Sequence, residues 1–223
     1  MTSATSSQTR QTGGFQADSS TRPLKIVVSG GFASGKTTFV ESTSEITPLQ
    51  TEAPMTSVAA GIDDAGQVTT KTHTTVAMDF GRITLENVML FLFGTPGQDR
   101  FWFMWDELSK GAIGAVVMVD TRRLDDCFAA LDYFESRSLP YVVALNRFDG
   151  VLHHEVDAVR EALTIDPETP VVTVDARDPS STQQVLLDLV GHAINRKRKS
   201  LASEVQQPVP EPLPQRPTAT SRV

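Results

Sequence analysis

The segment GGFASGKT, residues 30–37, constrains this chain more than any other stretch of it. It satisfies the pattern GxxxxGK[ST], follows the apolar β-branched run LKIVVSG (24–30), and opens a run with helical spacing, GKTTFVESTSE (35–45). A strand, a glycine-rich turn and a helix start in that order build a phosphate cradle. The glycines let the backbone turn tightly so that its N–H groups surround the phosphates, and the helix N-terminus adds positive potential. Gly30, Gly31, Phe32, Ala33, Ser34 and Gly35 form the expected loop, with Thr38 completing the cradle. Lys36 is expected to reach the β and γ phosphates and Thr37 to offer its hydroxyl to Mg²⁺.

Between Leu24 and Lys199 short apolar runs alternate with longer helical ones. TVAMDFGRI and NVMLFLFG predict an antiparallel pair joined by a turn near Gly81 to Glu86. AIGAVVMVD (112–120), YVVALNRF (141–148) and PVVTVDA (170–176) are continuous apolar strands of the kind buried on both faces of a parallel sheet. Helical candidates follow each of them: RLDDCFAALDYFESR, HHEVDAVREAL and SSTQQVLLDLVGHAINRK. The predicted fold is α/β, a P-loop NTPase three-layer sandwich whose six-stranded, mostly parallel sheet has one antiparallel edge hairpin. Its ligand is expected at the carboxyl ends of the parallel strands.

The ends differ in composition. Residues 1–22 are rich in Ser, Thr, Gln and Gly and cannot offset the entropy of ordering, so they are expected to be a disordered arm before a domain spanning 23–200. Residues 201–223, proline-spaced and polar from about Ser203, read as a solvated tail or linker, with a docking peptide as the lesser alternative. A net charge of −7 and a pI near 5.1 argue against a nucleic-acid surface. The basic run RKRK (196–199) falls where a last helix is expected to end, as cations beside the negative end of its dipole; weak contact with anionic lipid is the alternative. The single cysteine, Cys127, fits a reducing cytoplasm. Neither a signal-peptide core, a lipidation motif nor a membrane-length apolar run is visible, so a cytoplasmic protein, at most peripheral to the inner face of the membrane, is expected.

Base choice should lie in NRFD, Asn146 to Asp149, which follows the strand YVVAL. It resembles the Asn-Lys-x-Asp guanine motif with Arg147 in place of lysine. A carboxylate at Asp149 can accept from both N1–H and the exocyclic amine of guanine, whereas adenine presents an unprotonated N1 there. Asn146 would bond N7 and tie this loop to the phosphate loop, and the stem of Arg147 can pack over the base. VDAR (174–177) stands where a Ser-Ala-Lys loop would, with Asp175, Ala176 and Arg177 near the base and the Ala176 N–H aimed at guanine O6.

In this order the motifs resemble those of the Ras-like small GTPases. TVAMDF is similar to the switch I pattern TIGVDF, and TPGQDRF to the switch II pattern TAGQERF. The likeness is nearest to bacterial members: the polarity GTPases of gliding bacteria and especially the actinobacterial conservon GTPases, with MDFG and PGQxRFWFMW-like segments. The resemblance implies that Thr75 binds Mg²⁺ and γ-phosphate, with Thr74 as the competing choice, that the Gly97 N–H senses γ-phosphate, and that Gln98 positions the attacking water. It also implies partners of the roadblock/LC7 class and a sensor-kinase-like protein.

Two departures from the family pattern bear on turnover. Gly94 replaces the aspartate of Asp-x-x-Gly, which in the family meets Mg²⁺ through a water; weaker metal organisation is expected, with Asp79, on the same strand face as Thr75, as a substitute. Phe32 occupies a loop position where bulk beside the γ-phosphate hinders catalysis if the ring points inward, and where it is only a lid if the ring points outward. No arginine occurs in IDDAGQVTTKTHTT, so hydrolysis should be slow and depend on a finger supplied in trans. The run FWFMWDEL places Phe101, Trp102, Phe103, Met104 and Trp105 together, either as a partner surface or as core under a helix.

The remaining reactive residues read as ordinary. His153 and His154 are a solvated helix start, Asp120 caps a turn, Asp125 and Asp126 begin a helix, and Cys127 is a small core residue. Three functions stay open: a GTP-hydrolysing switch, favoured by Gln98; a nucleotide-dependent interaction module with negligible hydrolysis; and an ATPase or kinase.

Overall fold

The computed structural model describes residues 22–53, 76–85, 87–97 and 103–205. Strand β1 (Arg22–Gly30) leads into helix α1 (Lys36–Thr43), followed by β2 (Leu49–Ala53), β3 (Val76–Leu85), β4 (Val88–Gly94) and α2 (Phe103–Ser109). Next come β5 (Ala112–Val119), a 3₁₀ turn (Leu124–Cys127), α3 (Phe128–Ser136), β6 (Tyr141–Asn146), α4 (Val156–Ala162), β7 (Val171–Val174) and α5 (Pro179–Val205). The sheet order is β2-β3-β4-β1-β5-β6-β7. Strands β4, β1, β5, β6 and β7 are mutually parallel, and β3 runs antiparallel to β4.

All six expected strands are present, and β2 adds a seventh at the edge, antiparallel to β3. Its sequence, LQTEA, has no apolar run or clean alternation to announce it. The hairpin is also longer than expected. Gly81 lies inside β3 rather than in the turn: β3 continues to Leu85, and β4 begins at Val88.

Alternation along the central strands builds two cores. Ile26 and Val28 of β1, Val116 and Met118 of β5, and Val142 and Ala144 of β6 face α1 and α5, where they meet Phe39, Val40, Val185, Leu186 and Leu189. Their neighbours Val27, Val117, Val143 and Leu145 face the other layer, with Trp105, Leu131, Phe134 and Val159 from α2, α3 and α4. Coverage on both sides is why these strands read as unbroken apolar runs. Phe39 and Phe134 are fully buried, one in each layer, and truncating either to alanine should cost about 3–5 kcal/mol.

Helix α5 corrects one expectation. It continues to Val205, past residue 200, so Arg196 to Lys199 lie within the helix and not at its end. The following SLASEV contains good helix formers, which carry it on. Lys199 instead pairs with Glu168 at 2.5 Å across an exposed surface, a contact of little energetic weight. Among the described residues no helix is long and apolar enough to cross a membrane.

The chain leaves β1 toward one edge of the sheet and returns through β4 and α2 to β5 on the other side of β1. Such a switch point opens a crevice outside the strand carboxyl ends, and Gly30 stands at it.

Candidate functional site

The loop between β1 and α1 is strained and compact. Gly30, Ala33 and Gly35 all hold positive φ (135°, 57° and 99°), and for the alanine this is a conformation that needs support from its surroundings. Lys36 folds back over the loop: its Nζ donates to the carbonyls of Gly30 at 3.0 Å and Gly31 at 2.6 Å. With 7% exposure the ammonium is costly, and burial lowers its pKa from 10.5 to about 8, against the opposing pull of Asp79 and Asp126. The first-turn N–H groups of α1 have no partners inside the helix and face the same crevice. Thr37 is exposed, Thr38 half-buried, and the Ser34 hydroxyl is buried without a hydrogen-bond partner.

Phe32 points outward, 62% exposed. Of the two orientations left open by the sequence, the structure has the lid-like one. The Phe32 carbonyl accepts a 2.7 Å hydrogen bond from the Arg123 guanidinium, and Arg123 is also 3.4 Å from Asp126. Sequence reasoning passed over Arg123. Its signal was position: it follows the carboxyl end of β5, where the loops of a parallel sheet converge.

At the other end of the crevice, Asn146 closes β6 and is 5% exposed. Its Nδ2 donates to the Ser34 carbonyl at 3.1 Å, and its Oδ1 accepts the Ala176 N–H at 3.2 Å. One side chain therefore holds three loops in register, and the Ala176 carbonyl adds a third link by accepting from the Ser42 hydroxyl at 2.6 Å. The Arg147 N–H donates to the Val174 carbonyl at 2.7 Å. Asp149 takes left-handed backbone, φ 54°, which leaves its carboxylate 94% exposed. Arg177 stands 3.7 Å from Asp149 and forms a forked pair with Asp175, whose carboxyl it holds below the usual range.

Beyond the end of β4, Gly97 lies against the loop, so that a methyl group there would fall 2.8 Å from Lys36 Nζ and 3.1 Å from Phe32 Cα. The Thr37 hydroxyl donates to Asp79 Oδ2 at 2.7 Å, linking α1 to β3. Thr37 and Asp79 offer only oxygen donors, the set a hard cation such as Mg²⁺ takes, so the residues present fit that metal. Thr75, its competitor Thr74, and Gln98 lie outside the described residues.

Other singled-out residues have structural places. Asp120 is buried, accepts the Arg122 N–H at 3.0 Å and forms a forked pair with the Arg122 guanidinium, which depresses its pKa. Asp125 and Asp126 lie in the 3₁₀ turn ahead of α3. His153 and His154 are exposed ahead of α4, and among the described residues no three or more His, Cys, Asp and Glu side chains are grouped to hold a metal. Burial pushes the Cys127 thiol up to about 12. In the aromatic run, Trp105 is core, stacked on Phe134 and edge-on to Tyr133, while Phe103 and Met104 are half-buried. Phe101 and Trp102 lie outside the described residues, so the described part of the run is packing rather than exposed surface.

The fold is shared with solved G domains of iron transporters. The G domain of Thermotoga maritima FeoB superposes with a TM-score of 0.56 at 15% identity, over 77% of this chain and 99% of that one. The Methanococcus jannaschii FeoB G domain gives 0.51 at 14% identity, over 77% and 98%. Against the larger cytosolic domain of the T. maritima protein the TM-score is 0.57 at 15% identity; the chain spans 77% of itself but only 64% of that domain. An uncharacterized protein of Methanocaldococcus jannaschii is 32% identical over 128 residues, 56% of this chain and 71% of its own length. Residues 28–196 match the family model described as conserved hypothetical ATP binding protein, which covers the cradle, all of the sheet but the first part of β1, and most of α5. With the fold of a P-loop nucleotide-binding domain, the chain belongs to this family of conserved hypothetical ATP-binding proteins.

Proposed function

We propose that the protein is a guanine-nucleotide switch that binds GTP with Mg²⁺ and hydrolyses it slowly to GDP and phosphate. The carrying observation is the three-loop knot at Asn146, which joins the phosphate loop to the Asp149 and Ala176 loops. Asp149 would accept from guanine N1–H and the exocyclic amine, with the Ala176 N–H turning from Asn146 toward O6. The Asp149–Arg177 pair is exposed and long, so a base displaces it at little cost. Lys36, already held over the loop, would neutralise the β and γ phosphates. Thr37 and Thr75 would hold Mg²⁺, which offsets charge on those phosphates when bound. Gln98 would position the water. The outward ring of Phe32 leaves that position free, so low turnover would arise from the missing carboxylate at Gly94 and the absence of an arginine in switch I, and a partner would supply the finger.

The family description favours a second reading, an ATP-binding protein. Arg177 beside Asp149 supports it, since a carboxylate neutralised by arginine discriminates less against adenine. By likeness to the conservon-type GTPases, the proposed partners are a roadblock/LC7-class regulator and a sensor-kinase-like protein, met in the cytoplasm or at the inner membrane face. Competition of GTP against ATP for the purified protein, with phosphate release followed in the same sample, separates these readings. GTP preference with slow release supports the switch; GTP preference with no release leaves a nucleotide-dependent binding module; ATP preference overturns the guanine assignment.

A further inference from the structure

We propose that the outer face of α5 pairs with the same face of a second copy of this chain, antiparallel and centred on Ile194. The inference concerns a different surface from the crevice and does not rest on the nucleotide reading.

Helix α5 carries two apolar faces, and the fold uses one of them. Val185, Leu186 and Leu189 are buried in the core beside β5, β6 and α1. Leu187, Ile194 and Leu201 stand on the other side of the helix, 51%, 47% and 52% exposed. At about 100° per residue, intervals of seven keep these three side chains within about 40° of one another, in a line about 21 Å long. A lone exposed leucine needs no explanation, but three in line form a seam of the kind that mates with another helix.

The seam continues where the fold no longer covers the helix. Every residue from Ile194 to Ser203 is exposed, so these last turns of α5 have no buried face. Helices draw most of their stability from packing, and an uncovered stretch is marginal in water. Gly191, just before Ile194 on the same side, adds to this: a Cβ there would meet nothing within 4 Å. Glycine is unfavourable in a helix interior, and no neighbour in the chain requires it here. Beside a seam it lets a second backbone come close.

Charge identifies the occupant. Asp188 and Arg198 lie on the same flank of the seam, one before Ile194 and one after it. Among the described residues, the Asp188 carboxylate accepts only from Gln184, at 3.0 Å, and Arg198 has no ion pair. In an antiparallel pair with Ile194 at the two-fold axis, Leu187 meets Leu201 of the second copy. Asp188 then falls within about 3 Å, measured along the helix, of Arg198 of the second copy. Symmetry repeats both contacts, so an apolar layer and an ion pair stand on each side of the central isoleucines. Parallel pairing would instead set the basic run Arg196 to Lys199 against its own copy.

Sedimentation equilibrium of the full chain tests this. The seam is short, so the dissociation constant should be on the order of micromolar, and the mass should rise with concentration from 24.2 kDa toward twice that value. Ile194→Lys puts two like charges at the two-fold axis and should raise the dissociation constant about 100-fold or more, with the melting temperature of the monomer unchanged. Asp188→Arg and Arg198→Asp should each raise it about fivefold, and the two together should return it to within about twofold of wild type. A wild-type chain that stays monomeric to about 1 mM overturns the proposal. So does a dimer that survives Ile194→Lys, or a double swap no better than the single changes. If Ile194→Lys does not fold, Leu201→Lys, in the uncovered turns, carries the same test. Monomeric protein that instead sediments with vesicles of phosphatidylserine and phosphatidylcholine, and no longer does so as Ile194→Lys, assigns the seam to lipid and also overturns the dimer.

Discussion

The two ends of the crevice are built in opposite ways. Around Asn146 three loops distant in the chain are joined by buried, neutral hydrogen bonds from one amide to backbone groups. At Thr37 and Asp79 the link is a single exposed, charge-assisted bond between two side chains, whose geometry depends on strand register. A short motif can specify the first arrangement, because the Asn146 amide bonds backbone groups and needs no particular side chain opposite it. The second depends on which side chain fills a space shared by two strands, so no contiguous motif specifies it.

The largest expected effect lies between the ends. Lys36→Ala should cost about a hundredfold in nucleotide affinity, from the loss of charge-assisted bonds to phosphate. Lys36→Met should also raise the melting temperature of the nucleotide-free protein, because it removes a buried ammonium; a fall would show that the two carbonyl bonds outweigh burial. At the base end, Asp149→Asn should lower GTP affinity about tenfold or more and leave ATP affinity unchanged, read by competition. Equal loss of both would remove Asp149 from base reading.

Asn146→Ala should destabilise the protein by about 1–3 kcal/mol, since the Ser34 carbonyl and Ala176 N–H lose their buried partner; chemical denaturation with and without nucleotide measures it. If Thr37→Val were equally destabilising without nucleotide, the contrast between the buried Asn146 end and the exposed Thr37–Asp79 end would disappear.

A pH titration sharpens the same contrast. Lys36 loses its proton near pH 8 in the folded, empty protein, whereas the unfolded chain keeps its proton to about 10.5. Between these values the unfolded state binds more protons, so Lys36 makes folding stability rise with pH across that window. Phosphate needs the ammonium, so nucleotide affinity should be flat below about pH 8 and fall by up to about tenfold per pH unit above it. Lys36→Met should abolish both trends. The smallest effect is expected at Arg123, whose exposed guanidinium braces the Phe32 carbonyl: Arg123→Ala should change affinity by no more than about 1 kcal/mol.

Much of this was legible before the fold. The cradle from Gly30 to Thr38 could be read because its strand, turn and helix are adjacent in sequence, and the apolar strands because both faces of each are covered. Strand β2 was not legible, since LQTEA is held by its edge pairing to β3 rather than by an apolar pattern of its own. The end of α5 was missed because the proline-spaced tail suggested an earlier stop, while helix formers beyond RKRK carry it to Val205. Arg123 could have been flagged by its place after β5, but no local pattern links it to Phe32, which is 91 positions away in the chain.

By itself the sequence determined that a phosphate cradle sits on a doubly covered parallel sheet, because loop conformation and hydrophobic period are local properties. It also made Asp79 a candidate substitute for the carboxylate absent at Gly94. Only the tertiary structure decided that the two residues compete for one space, where a Cβ on Gly94 would meet Asp79 Cβ at 2.9 Å. Cross-strand register sets which side chains become neighbours, and that register is secured by aromatic packing between β3 and β4.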